Sequence, residues 1–328
     1  MLKHLFLLVF LASGLVSAKP KLVWVAAHGP QVVIDSGVEN FKNGVKGNFD
    51  VKSKFIDTGY SESAQDSKKI IEMVKNNEAQ IAQVFSYHLE TAMPEFNIYD
   101  LPFLFASYEH AEKYFESDYA LNLLNSLDKI GLKGFAYTYS GGYKILCSSE
   151  KTERMSDLKN KVVNVSGGGA ISRSYFQSLG AVPVAFSKKS MPQRMEKGQI
   201  NLFETVYPRV GNLNEGEMCK NLIETNHGTQ LTILVMSKKY FESLSKKQQK
   251  LVSEQLRVAA QHERQFSIAY GKKVKEELVK EGSKIVPFVE QDKLQEVAKD
   301  FYKKFPDLIN EETYQFIKKL ESDKLVSR

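Results

Sequence analysis

The sequence predicts an α/β protein of two domains, and three observations carry that prediction. Short apolar strands alternate with helically spaced stretches over residues 22–85. A strand at 161–165 runs directly into Ser166-Gly167-Gly168-Gly169 and a helical stretch over 170–179. A span from Phe241 to Tyr270 contains neither proline nor glycine, long enough as one helix to brace two domains at once. The length of 328 residues also exceeds the range in which a single hydrophobic core keeps growing.

The elements follow in order. Residues 22–27 form an apolar strand closed by His28, Gly29 and Pro30, and Ile34, Val38, Phe41 and Val45 mark one face of a helix. Alternation at Phe49, Val51 and Phe55 gives a second strand, 63–76 a second helix and 81–85 a third strand. This strand, helix, strand order predicts a largely parallel sheet. Pro94 and Pro102 punctuate a compact aromatic stretch, a helix is expected over 108–130, and strands at 133–138 and 142–147 are separated by glycines. The long helix shows Leu244, Leu251 and Val258 at sevenfold spacing, with a bend expected at Gly271. Beyond Pro287 the chain reads as helical and polar.

The first residues carry Lys3 and His4, then an apolar run over 5–12 and a small-residue site at Val16, Ser17 and Ala18. That order is a secretory signal. The run is shorter than the roughly 18 to 20 residues a membrane-spanning helix needs. Cleavage is expected after Ala18, and with Lys19 next and no cysteine nearby, no thiol stands ready for a lipid. Loss of Lys3 lowers the net charge from +6 to +5. Basic residues lie among acidic ones, as in Lys68-Lys69-Ile70-Ile71-Glu72, with no arginine stripe between aromatics, a pattern that excludes nucleic acid as a partner.

Little in the chain points to catalysis. His28, His88, His110, His227 and His262 stand apart, with no metal-ligand spacing and no nucleophile elbow, so neither an enzyme nor a metal or cofactor is expected. Cys147 and Cys219 are open to two readings, a disulfide or buried free thiols. The glycine turn around Gly168 either presents free N–H groups to an anion at a helix mouth or is simply a tight turn.

Several ordered segments together resemble the solute-binding proteins of tripartite ATP-independent periplasmic (TRAP) transporters. Tyr99-Asp100-Leu101-Pro102-Phe103-Leu104-Phe105 with Tyr108-Glu109-His110-Ala111 is similar to that family's DLPFLF…YEHA segment. Residues 156–165, 178–184 and 198–205, and Thr225-Asn226-His227, resemble further segments of it. The resemblance implies a two-lobed periplasmic binding protein, a clamshell with a long helix bridging both lobes. By that pattern lobe I holds 19–141 and 230–270, lobe II 142–229 and 271–310, and 311–328 is a helical tail. It further implies a soluble, monomeric periplasmic protein that captures a small organic acid and hands it to a membrane permease. A ligand-sensing protein that docks on a receptor is the alternative.

The family's carboxylate-clamping arginine falls at Asn164, which offers neutral hydrogen bonds in place of a charged fork. A second basic position is Lys144, and a third site position is Thr205. A carboxylate is therefore expected on Lys144, Arg173 and the glycine-turn N–H groups, since a buried Lys144 needs a partner. A ligand without a carboxylate is the other outcome of the change at 164. Phe186 is either a platform for the ligand or core, and His28, Tyr87 and Tyr207 are candidates for polar contacts.

Overall fold

The computed structural model describes residues 19–27, 31–56, 64–165, 169–186, 190–212 and 218–322. The expected signal and, among the candidate site residues, His28 and Gly168 lie outside these. The chain opens with β1 (Lys21–Ala27), α1 (Gln31–Val45), β2 (Asp50–Ile56), α2 (Ala64–Lys75) and β3 (Ile81–Phe85), in the expected alternation. α3 (Ser86–Leu89) and a 3-10 turn (Pro94–Asp100) lead into α4 (Tyr108–Phe115), α5 (Asp118–Ser126) and β4 (Leu132–Tyr143). The single helix expected over 108–130 is thus two. Ser117 accepts a hydrogen bond from the Ala120 N–H and so starts a new helix. The glycines expected to separate two strands instead lie inside β4, and the break falls at Lys144.

There follow β5 (Ile145–Ser148), α6 (Met155–Leu158), β6 (Val162–Asn164), α7 (Ala170–Ser178), β7 (Val182–Val184), α8 (Met191–Glu196), β8 (Leu202–Thr205), α9 (Tyr207–Asn212) and β9 (Asn221–Glu224). The chain then runs through β10 (Thr229–Ser237), α10 (Lys238–Ser243), α11 (Lys246–Lys280), β11 (Lys284–Pro287), α12 (Gln291–Lys299) and α13 (Glu311–Ser322). Two sheets result, ordered β2-β1-β3-β10-β4 and β11-β9-β5-β8-β6-β7. In the first sheet only β10 runs against its neighbours, and in the second only β5 does. Both of these strands arrive directly from the other sheet.

Helix α11 starts at Ser245, which exchanges hydrogen bonds with Gln248 in a capping box. It runs unbroken through Gly271, roughly 50 Å in all. Its buried stripe, including Val252, Leu256, Ala259, Ala260 and Val274, packs on α1 and β4 toward one end and on α9 toward the other. Two charged residues lie in that stripe. Arg264 forks onto Glu112 of α4 at 2.5 and 2.7 Å and donates to the Tyr137 carbonyl at 2.6 Å. Glu263 accepts from Gln83 Nε2 at 2.6 Å, and burial pushes its carboxyl up to about 8. Gly37 of α1 makes room for it, because a Cβ there would collide with Oε2.

Cys147 of β5 and Cys219 form a disulfide, with Cα atoms 5.1 Å apart and 72 residues between them. A loop of that length adds on the order of 4 kcal/mol in the chain-entropy account. The terminal α13 returns to α4 and α5, where Phe316 stacks on Tyr119 of α5 at 4.1 Å and His110 Nε2 of α4 meets the Ile317 carbonyl at 2.7 Å.

Candidate functional site

The chain passes between the sheets three times: at Lys144, over 225–228, and through α11 into β11. The first two crossings are bonded together. The Lys144 N–H donates to the Gly228 carbonyl at 2.8 Å, and Gly142 and Tyr143 pair with Gln230 and Thr229. Glycine is required at 141 and 142. Their φ angles are +121° and +83°, and Cβ atoms there would collide with Val206 and with the Tyr108 hydroxyl.

Beside this double crossing lies a narrow cleft of about 10 Å³, room for one water, that both lobes wall. One side holds Tyr99, Asp100 and Leu101, the other Ser172, Tyr175 and Phe176 of α7, and Lys144, Glu204 and His227 close the floor. Lys144, 8% exposed, places its ammonium 3.7 Å from Glu204 Oε1. The same oxygen meets His227 Nε2 at 2.7 Å, and His227 Nδ1 meets the Thr225 hydroxyl at 2.7 Å. Glu204 is a charge in the otherwise buried strand β8, and these partners account for it.

Asp100 is less well served. Ser86 donates to Oδ1 at a long 3.4 Å, and the buried Oδ2 has no hydrogen-bond partner among the described residues. Burial raises its carboxyl to about 7; the Lys144 charge pulls it down, while Glu90 and Glu204 push it up. Glu90 is raised as well, by burial, against the pull of Arg173. The two carboxylates converge on Gly169 at the mouth of α7, where a Cβ would stand 3.3 Å from Glu90 Oε2 and 3.4 Å from Asp100 Oδ2.

The candidate residues divide into groups. Lys144, Tyr87 and Arg173 gather around the carboxylates: burial, then Asp100, Glu204 and Glu90, raise the Tyr87 phenol, and Arg173 is an exposed residue of α7 whose charge reaches Glu90. Thr205 is buried at the end of β8, next to Glu204. Asn164 is occupied at both ends. Its Oδ1 accepts from the Phe186 N–H at 2.7 Å, and its Nδ2 faces the Phe186 carbonyl at 3.4 Å and Met191 Sδ at 3.6 Å. Phe186 is half-buried, with the Arg194 guanidinium 3.8 Å above its ring. Tyr207 is turned elsewhere, donating to Glu224 at 2.9 Å beside Lys275 of α11. Asp100, Glu90, Glu204 and His227 were not singled out from the sequence as candidate site residues, though an acid inside the apolar runs at 96–105 and 202–206 was a usable signal.

A solute-binding protein of Sulfitobacter sp. is 30% identical over 63% of the chain and 62% of its own length. The C4-dicarboxylate-binding periplasmic protein DctP of Shewanella loihica is 26% identical over 60% and 56%. The chain thus spans less than two thirds of the length of these curated relatives. Among solved structures, a TRAP periplasmic solute-binding protein from Shewanella oneidensis with bound succinate superposes with a TM-score of 0.82 at 18% identity, covering 92% of this chain and 99% of that one. The sugar acid binding protein of Advenella mimigardefordensis, in complex with galactonate, gives 0.80 at 20% identity over 94% and 99%. The two-lobed fold is that of these proteins. The model of the bacterial extracellular solute-binding proteins of family 7 matches residues 30–307, and the chain belongs to that family.

Proposed function

We propose that this chain is the solute-capturing subunit of a TRAP-type secondary transporter, working as a soluble periplasmic monomer after signal cleavage near Ala18. It takes up a small organic acid or a related small polar solute by closing two lobes and delivers it to a membrane permease. The observation that carries this reading is the cleft at the double crossing, where Asp100 from one lobe and α7 from the other face each other around Lys144. Strands that cross there are bonded through Lys144 and Gly228, so rotation at one crossing is shared by the other. Among the described residues no helix is long and apolar enough to cross a membrane. We place the division into lobes at 141/142 and 229/230, close to where the chain changes sheet at Lys144 and over 225–228, with α11 as the brace.

In this mechanism the solute enters the open cleft, contacts from both lobes favour the closed state, and the permease reads closure; no bond of the solute is made or broken. Lys144, Thr205, Tyr87, Arg173 and the α7 mouth supply the polar contacts, and water exclusion strengthens them. Small-angle scattering of the mature chain against a panel of small polar solutes, organic acids foremost, tests it. A smaller radius of gyration with at least one compound, and recovery of that compound unchanged, is the expected result. No compaction with any compound would overturn it.

A further inference from the structure

Resting on that reading, we infer that the solute carries a protonated amine as well as its acid group, and that Asp100, with Glu90 beside it, receives the amine. The charge balance of the cleft argues for this. Lys144, the cation expected to hold a carboxylate, is already placed against Glu204. Asn164 adds no charge and spends its amide on the backbone of Phe186. What the cleft offers instead is a buried carboxylate oxygen, Asp100 Oδ2, that meets no donor among the described residues, with Glu90 Oε2 converging on the same place at Gly169. Leaving such an oxygen unmet is costly, and a charged donor is its strongest partner. An ammonium group satisfies both carboxylates through three N–H donors. A metal ion fits less well, because among the described residues no three acidic, imidazole or thiol side chains stand close enough to hold one. The raised carboxyls of Asp100 and Glu90 describe the same deficit. Arg173, the exposed cation of α7 whose charge reaches Glu90, is the group we assign to the solute's own carboxylate.

Matched pairs that differ only in the amine test this: L-glutamate against glutarate, L-aspartate against succinate, and L-leucine against 4-methylpentanoate, each by calorimetry and thermal shift on the mature chain. The expected result is binding of at least one amino acid and at least tenfold weaker binding of its amine-free partner. Asp100→Asn is then expected to weaken the amino acid by about 10- to 100-fold, with Glu90→Gln weakening it less. Equal or tighter binding of an amine-free acid, or an affinity untouched by Asp100→Asn, overturns the inference and leaves the solute-binding reading standing. A chain that binds no member of any pair and shows no compaction fails as an organic-acid binder, and both readings fall together.

Discussion

At Lys144 the structure reverses the physical reason for expecting a carboxylate ligand. The expectation rested on a buried ammonium in need of a partner, and the partner is internal, Glu204 at 3.7 Å. Glu204 is itself fixed by His227, so the lysine completes a chain of polar contacts across the floor of the cleft. Lys144→Met removes the ammonium 3.7 Å from buried Glu204, and we expect a loss on the order of 3 kcal/mol in urea denaturation. The double variant Lys144→Met with Glu204→Gln recovers most of that loss, and a double-mutant cycle measures the coupling. Asn164 makes the complementary point. Its identity was legible as a missing guanidinium, but its task, tying the Phe186 backbone to β6, depends on a residue 22 positions away. Pairings of that kind come from tertiary placement and leave no local periodicity to read.

Among the elements, the early strands and helices were readable because each shows one apolar face at its own period. The long helix was readable too, yet its ends were not. Gly271 sits where α11 passes α9, and a Cβ there would meet Pro208 at 3.5 Å, an ordinary contact, so the packing at this position does not itself demand glycine. What fixes α11 to the first lobe is Arg264, whose fork on Glu112 and bond to the Tyr137 carbonyl are made with a side chain that is almost wholly buried. Arg264→Leu should therefore cost about 3 kcal/mol. Arg264→Lys should recover only part of it, because a point charge cannot reproduce the fork. Chemical denaturation of the three proteins side by side gives the ranking.

For the whole molecule, two carboxyls held above their ordinary range set a pH dependence. Glu263 moves from 4.5 to about 8 and Asp100 from 3.8 to about 7. Each stays protonated in the fold over a range where the unfolded chain has released its proton. Their contribution is thus complete below pH 4 and is lost as pH rises through 7 for Asp100 and 8 for Glu263, at up to about 1.4 kcal/mol per pH unit for each. Glu263→Gln and Asp100→Asn should each flatten their part of the stability profile between pH 5 and 8, and thermal melts at stepped pH read the difference. The interleaved strands bear on how the molecule is made. Among the described residues β4 is paired only with β10, and β10 is complete only at Ser237. A chain emerging from its N-terminus therefore cannot finish its first sheet until most of the second has been synthesised, and no single cut between the sheets yields two fragments that are each whole. The nascent polypeptide remains without a closed first core through more than two hundred residues of its length, the state in which a translocation channel can thread it.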